Sequence, residues 1–304
     1  MITSNPGHDP NRSLDGWRLT EDLDHFFTRA GSFLHSQPAL HTLPLTLTET
    51  VRICGPHAYG PEAPVLGFLE QAGKARATLF RAPPHRLNLT PLTAEDADTL
   101  AAYLADLDHQ LPGVYADHDT ATVFSDAWHR HTGALPTLHE RQCLYRLGTL
   151  TPPRQVPEGH ARVASERDRE EVARLYQGFS ESYGEPPSRD PQQWADTRIA
   201  ARGITLWEAP DGTPLAMVGV NPLVAGQIRL AIAYTPKHLR GRGYATAALA
   251  EVTRVALAAE PKDVLLFTNL ANPTTNALVQ RLGYRPVTTF ALYDFSPAAV
   301  QGDR

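Results

Sequence analysis

The stretch Tyr234-Thr-Pro-Lys-His-Leu-Arg-Gly-Arg-Gly-Tyr-Ala-Thr-Ala-Ala-Leu249 joins an apolar run, Ile228 to Tyr234, to a long helical pattern. The join is a short basic loop with two glycines, Gly241 and Gly243, and no further Gly or Pro follows before Pro261. A strand, a glycine-basic loop and a helix start in this order form a phosphate cradle. Glycine lets the backbone come close to a ligand. The first helix N–H groups have no intrahelical partner and point at whatever sits before them. Arg240 and Arg242 add positive charge. The chain is therefore expected to hold a phosphorylated cofactor.

Composition narrows the rest. A length of 304 residues favours two domains of roughly 150 residues each. Hydrophobic residues make up 42% and charged residues 20%, an ordinary globular balance. The apolar runs fall far short of the roughly 20 residues of a membrane helix, and no secretory signal pattern opens the chain. No membrane partner is expected. The net charge of −5 argues against a nucleic-acid partner. Cys54 and Cys143 give neither a metal spacing nor a disulfide framework, which fits a reduced cytoplasm. Thirteen histidines are scattered without ligand spacing, so no metal is expected. There is no Gly-x-Ser-x-Gly elbow for a hydrolase triad.

Met1 to Asp15 reads as a disordered N-terminus. Leu19 to Leu34 reads as an amphipathic helix entered through Thr20-Glu-Asp, followed by Pro-rich turns and strand-like runs at Thr78-Leu-Phe-Arg and Arg86 to Thr90. Thr93-Ala-Glu-Asp opens a helix to about Leu107. Pro112 to Tyr115 is a strand or turn, Thr120 to His131 a helix, and Arg141 to Leu147 a strand. Residues 16–150 form a first unit, Pro-rich residues 151–158 a linker, and residues 159–304 a second unit. There, His160 to Ala164 is a strand, and Glu166 to Glu181 and Pro191 to Ala201 are helices. Strands Ile204 to Ala209 and Pro214 to Asn221 join through Asp211-Gly212. Gln227 to Tyr234 is the cradle strand and Gly243 to Ala259 its helix. Asp263 to Thr268 is a buried strand, and Asn272 caps a helix with Pro273 in its first turn. Gly283 ends that helix, and Tyr284 to Phe295 supplies the closing strands. Element order near the two unit ends allows a duplicated fold, although no residue-level repeat is visible.

Three cradles compete. A P-loop needs a lysine that is absent after Gly243. The dinucleotide fingerprint needs a third glycine and a ribose-binding acid, and neither Gly241 to Thr246 nor Leu266 to Asn269 supplies them. A coenzyme A cradle, Arg/Gln-x-x-Gly-x-Gly/Ala, is matched by Arg240-Gly241-Arg242-Gly243-Tyr244-Ala245 at every fixed position. With Leu270-Ala-Asn-Pro-Thr-Thr-Asn-Ala-Leu-Val-Gln-Arg-Leu-Gly-Tyr-Arg-Pro286 in the right order and spacing, residues 159 to 296 resemble the GNAT superfamily of N-acetyltransferases.

That resemblance implies an α+β fold: a GNAT-like mixed, mostly antiparallel sheet flanked by helices. The N-terminal unit is then an α/β domain, either a degenerate second GNAT copy or a lid shaping the acceptor cleft. No Gly-rich loop follows strand Arg86–Leu89, so this unit is not expected to bind coenzyme A in the same way. The implied reaction is direct acetyl transfer from acetyl-CoA to an amine, which is either a small molecule or a protein N-terminus. The implied cofactor contacts are Ala233, Tyr234 and Thr235 at the strand end, the loop Arg240 to Ala245, and Asn272 and Asn276. Glu181, Tyr183 and Trp194 fall at the acceptor wall.

The residues that move protons stand out less. Many members carry a tyrosine seven residues after the helix-starting asparagine, where this chain has Val279. Tyr234, Tyr284 and Tyr293 are the substitutes. The cradle strand has no carboxylate, and Glu208 on an earlier strand is the candidate base acting through water, or simply an edge carboxylate. A non-catalytic acyl-CoA-binding or sensing protein on the same fold is the alternative function. Oligomeric state is not legible.

Overall fold

One succession of elements runs through the chain twice. The structure, a computed structural model, describes residues 16–182 and 190–297; the expected disorder of Met1 to Asp15 and the acceptor-wall residue Tyr183 lie outside them. The first half comprises β1 (Gly16–Thr20), α1 (Leu23–Ser36), α2 (Thr42–Cys54), β2 (Val65–Gln71), β3 (Lys74–Arg81), β4 (Leu87–Leu89), α3 (Ala94–Asp106), β5 (Gly113–Asp117), α4 (His118–Thr132) and β6 (Leu135–Leu147). The second comprises β7 (His160–Val163), α5 (Arg169–Glu181), α6 (Pro191–Ala200), β8 (Ile204–Glu208), β9 (Pro214–Val220), β10 (Gln227–Tyr234), α7 (Tyr244–Leu257), β11 (Asp263–Asn269), α8 (Pro273–Arg281) and β12 (Tyr284–Ser296).

The strands form one 12-stranded sheet in the order β1-β2-β3-β4-β5-β12-β6-β11-β10-β9-β8-β7. Exchanging each strand for its counterpart in the other half reproduces the same order. The centre is the antiparallel pair β6 and β12, paired from Tyr284↔Leu147 to Ser296↔Leu135. The last strand of each half is thus paired to the fifth strand of the other: β12 runs antiparallel to β5, and β6 antiparallel to β11. Among the described residues, only β4–β5 and β10–β11 are parallel.

Alternation along the strands divides the helices between two faces. Cys143, Tyr145, Val264 and Leu266 pack with Ala247, Val252, Val279 and Leu282 of α7 and α8. Their neighbours Leu144 and Leu265 turn the other way and meet Leu43 of α2. Helices α3 and α4 cover the first half on the α7/α8 face through Leu100 and Phe124. Helices α5 and α6 cover the second half on the opposite face, where Tyr176 stacks on Trp194 at 4.1 Å. Helix α2 therefore lies over the sheet centre and reaches β10: Thr42 Oγ1 donates to Gln227 Oε1 at 3.0 Å.

Several elements differ from their sequence reading. Gly16–Thr20 is an edge strand and α1 begins only after Asp22, whose carboxylate accepts from the amides of Asp24 and His25. Helix α2 falls in the segment expected to hold turns and short strands. Four threonines and Pro44 lower its helix propensity, and tertiary burial of Leu43, Leu45 and Val51 forms it instead. Strand β6 starts six residues before Arg141, and its early section is mostly exposed, which removes the apolar alternation. The expected closing strands are one continuous strand, β12, with register shifts after Pro286 and Leu292.

Candidate functional site

Strands β10 and β11 stay in parallel register from Gln227↔Asp263 to Leu230↔Leu266 and then part. Past that point β11 continues on β6 as far as Asn269↔Gln142, and β10 continues on β9 to Tyr234↔Met217. The β9–β10 register shifts between Leu230 and Ala233, a bulge that bends β10 away from β11. Ala231 and Ala233 are exposed on the splayed section. The small side chains leave room along the strand there, at the strand end where the resemblance implies cofactor contacts. Thr235 ends the section, buried, with no partner for its hydroxyl among the described residues.

The loop that follows turns through a short 3-10 segment, Lys237–Leu239, before reaching α7. Gly241 and Gly243 both adopt positive φ, +80° and +86°. Gly243 is the N-cap of α7 and no side chain caps the helix. Ala247 makes the first return bond, to the Gly243 carbonyl at 3.0 Å, so the amides of Tyr244, Ala245 and Thr246 face forward without an intrahelical acceptor. Arg240 is spent on the loop itself: Nε donates to the Thr235 carbonyl at 3.1 Å and the guanidinium lies 5.9 Å from the Tyr234 ring centroid. Arg242 is exposed. The uncapped helix, the open glycine loop, the splayed strands and the orphan Thr235 hydroxyl fit a diphosphate with an extended thioester arm.

The matching end of the first half is closed. β4 passes to α3 through four residues, and Thr93 caps that helix by accepting from the Asp96 amide at 3.1 Å. The Leu92 amide is taken by Thr120 Oγ1 at 2.9 Å. Two amides at this end are thus already taken by side chains, and no glycine opens the turn.

Helix α8 begins as its sequence indicates. Asn272 Oδ1 accepts from the Thr275 amide at 3.1 Å. Asn276 is a hub: its Oδ1 accepts from Tyr145 Oη at 3.0 Å and Thr268 Oγ1 at 2.7 Å. Its Nδ2 donates to the carbonyls of Asn269 and Asn272. Both asparagines thus spend these groups on the protein, fixing α8 beside the splay. Val279 is 1% exposed and packs in the core. Of the three substitute tyrosines, Tyr284 is sealed inside with its hydroxyl against Thr253, and burial pushes its phenol far up. Tyr293 packs on the first half near Thr122. Tyr234 alone stands on the splayed section, its ring edge-on to Phe179. Sequence reading missed Tyr145, which the first half contributes on β6 and which also accepts from Gln280 Nε2 at 3.1 Å. No local signal marks that non-local pairing.

Beside the cradle loop lies a polar cleft of about 730 Å³, lined by Arg162, Asp168, Glu208, Pro236 and His238, among others. Glu208 is 8% exposed and bound by Arg162, whose other two nitrogens hold Asp168 at 2.7 and 2.8 Å. The Arg162 guanidinium, with the Ser165 amide and hydroxyl, holds the Asp168 carboxyl down at about 2. Glu208 therefore lines the cleft with its carboxylate already engaged, two strands from the splay. Glu181 is exposed and bonded to Gln177, and Trp194 is buried under Tyr176. Among the described residues, no cluster of His, Cys, Asp or Glu is placed to hold a metal ion, and no helix is long and apolar enough to cross a membrane.

The profile of the acetyltransferase (GNAT) family matches residues 169–284, from the start of α5 to the start of β12. No curated protein matches the chain. Solved structures align over nearly its full length. A GNAT-family acetyltransferase from Colwellia psychrerythraea aligns at 12% identity and TM-score 0.57, covering 92% of this chain and 99% of its own. A Drosophila protein aligns at 13% identity and TM-score 0.62, covering 94% and 100%. A tandem GNAT protein from the clavulanic acid biosynthesis pathway, solved without AcCoA, aligns at 13% identity and TM-score 0.57, covering 93% and 99%. The chain carries the fold of the GNAT acetyltransferases.

Proposed function

We propose that the chain is an acetyl-CoA-dependent N-acetyltransferase whose donor site is the cradle of the second half. The observation that carries this is the uncapped N-terminus of α7, entered through Gly241 and Gly243 at the end of a strand that leaves its neighbour. The amides from Gly241 to Ala245 hold the diphosphate of acetyl-CoA, aided by the helix dipole. The pantetheine arm lies along Ala233, Tyr234 and Thr235, and the thioester oxygen meets an amide of that section. One such donor lowers a barrier by about 3 kcal/mol. Asn272 and Asn276 shape this site by holding α8 in place. The amine nitrogen attacks the thioester carbon, the carbon–sulfur bond breaks with its electron pair leaving on sulfur as coenzyme A thiolate, and the proton lost from the acceptor nitrogen leaves through the open cleft. No covalent enzyme intermediate is involved. The acceptor is a small-molecule amine or a protein N-terminus.

We read residues 16–150 and 159–304, joined by 151–158, as two GNAT-like units, the first degenerate. Repeated element order supports this, and the capped α3 explains why one unit alone binds the donor. Two free cysteines fit a reducing cytoplasm. A second reading, an acyl-CoA sensor, is favoured by Val279 in the place of a proton-donating tyrosine.

Acetyl-CoA should raise the melting temperature while ATP and NAD do not, and free thiol should appear when amines are added. Absence of any shift with coenzyme A esters overturns the donor site; a shift with no thiol release across a broad amine panel favours the sensor.

A further inference from the structure

Arg229 sits in the middle of an otherwise apolar stretch of β10, between Ile228 and Leu230. Those neighbours face α7, so Arg229 faces the α2 side. Its Nη2 donates to Thr46 Oγ1 at 2.6 Å, and its guanidinium lies 5.8 Å from the Phe267 ring centroid. Its Nε has no acceptor among the described residues. No carboxylate among them pairs with it; the titratable groups coupled to it are the phenols of Tyr115 and Tyr59, and burial pushes its pKa down. Two other partly buried arginines have acids: Arg162 holds Asp168 and Glu208, and Arg86 holds Asp294. A desolvated guanidinium without an anion is costly, and such an arrangement persists where an anion is received.

The surroundings form a receptacle. Tyr115, Phe267 and Phe290 make an aromatic cluster with centroids 5.0 to 6.2 Å apart. A cavity of about 150 Å³, lined by Leu47, Tyr59, Phe80 and Asn88 among others, adjoins it. Leu47 follows the threonine that Arg229 touches, and Asn88 is opposite Tyr115 in the β4–β5 register. Asn88 Oδ1 also has no partner among the described residues. Arg229 and Tyr115 are both partly reached by solvent despite their depth. Along β10, Arg229 lies just ahead of the bulge, and Phe267 lies just past the point where β11 parts from β10. The diphosphate end of the cradle is at the far end of the strand, so this cation is not one of its ligands.

We infer that Arg229 is the anion-binding residue of the acceptor subsite, and that the acceptor is a small amine carrying a carboxylate. The amine rests on the acetyl-transfer reading, whereas the anion site stands by itself. The covering helix α2 makes the pocket one for a small amino acid-like molecule rather than a folded protein's terminus.

The test uses the full chain and calorimetric titration of α- and ω-amino acids, each beside its decarboxylated amine, with acetyl-CoA titrated separately. At least one amino acid should bind tenfold or more tighter than its carboxylate-free partner. Arg229→Met and Arg229→Gln should erase that preference, keep acetyl-CoA affinity, and keep or raise the melting temperature. No preference for carboxylates in the wild type, or a preference that survives both variants, overturns the inference. A lowered melting temperature with the preference intact assigns Arg229 to the packing of α2 and overturns it as well. A carboxylate preference without acetyl-CoA binding leaves the anion site standing and removes the acetyl-transfer reading.

Discussion

The hydroxyl of Tyr145 donates to Asn276 Oδ1 at 3.0 Å, joining a strand of the first half to the helix that borders the second half's splay. Gln280 donates to the same hydroxyl from one turn further along α8. The two partners flank Val279 in the sequence of α8, so a phenol of the first half is tied to the helix that carries it.

Tyr145→Phe leaves Asn276 its bond from Thr268 but removes an acceptor from Gln280. A loss of about 1 kcal/mol is expected in urea unfolding. Acetyl-CoA affinity should fall at the same time, because the α8 terminus loses its tie to β6. Unchanged affinity would separate Tyr145 from the donor site.

Gly243→Val forces a β-branched residue into φ of +86° at the cap of α7. The strain costs about 1–3 kcal/mol, and relief by a changed loop misaims the forward amides. Acetyl-CoA affinity should drop at least tenfold in titration, with circular dichroism unchanged. Gly73→Ala, at the positive-φ turn between β2 and β3 in the first half, serves as the strained control that keeps affinity.

Arg162→Met leaves Glu208 and Asp168 buried without their cation. A loss of about 3 kcal/mol is expected at neutral pH. The Asp168 carboxyl is held below its ordinary value, so its contribution is fully present above about pH 4 and fades as pH falls towards 2. The gap between wild type and variant should therefore narrow on acidification; a gap constant with pH would show that charge is not its source. Glu208→Gln should likewise cost stability and keep turnover within a few-fold, since its carboxylate is committed to Arg162.

Fragments 16–158 and 159–297 should each fail to fold alone, because one lacks β12 and the other β6. Mixed together they should recover native circular dichroism and a single cooperative melt. Independent folding of either fragment would show that the exchanged strands are dispensable.

The cradle was legible almost to the residue because its signals are local: Gln227 to Tyr234 ends in Pro236, and glycine and helix start follow at once. Asn272 and Gly283 mark α8 in the same way, and Gly283 is required by a Thr149 carbonyl that a Cβ would strike at 1.9 Å. Helix α2 was hidden because its stability comes from being covered, not from its threonines. The exchange of β6 and β12 was hidden because a strand's sequence states its faces and not its neighbour. Arg229 offered one unused signal, a lone charge in a central apolar strand, whose meaning depends on Phe267, Tyr115 and Thr46 arriving from three distant segments.

The strand exchange also sets an order of events on the ribosome. When β5 emerges, the strand that will cover its edge, β12, has yet to be made, and β6 emerges before either of its neighbours, β11 or β12. Until Ser296 clears the exit tunnel the nascent chain carries two unpaired strand edges, the kind of surface that recruits other strands. Completion of this sheet waits for β12, and a chain cut short before it leaves both halves open at once.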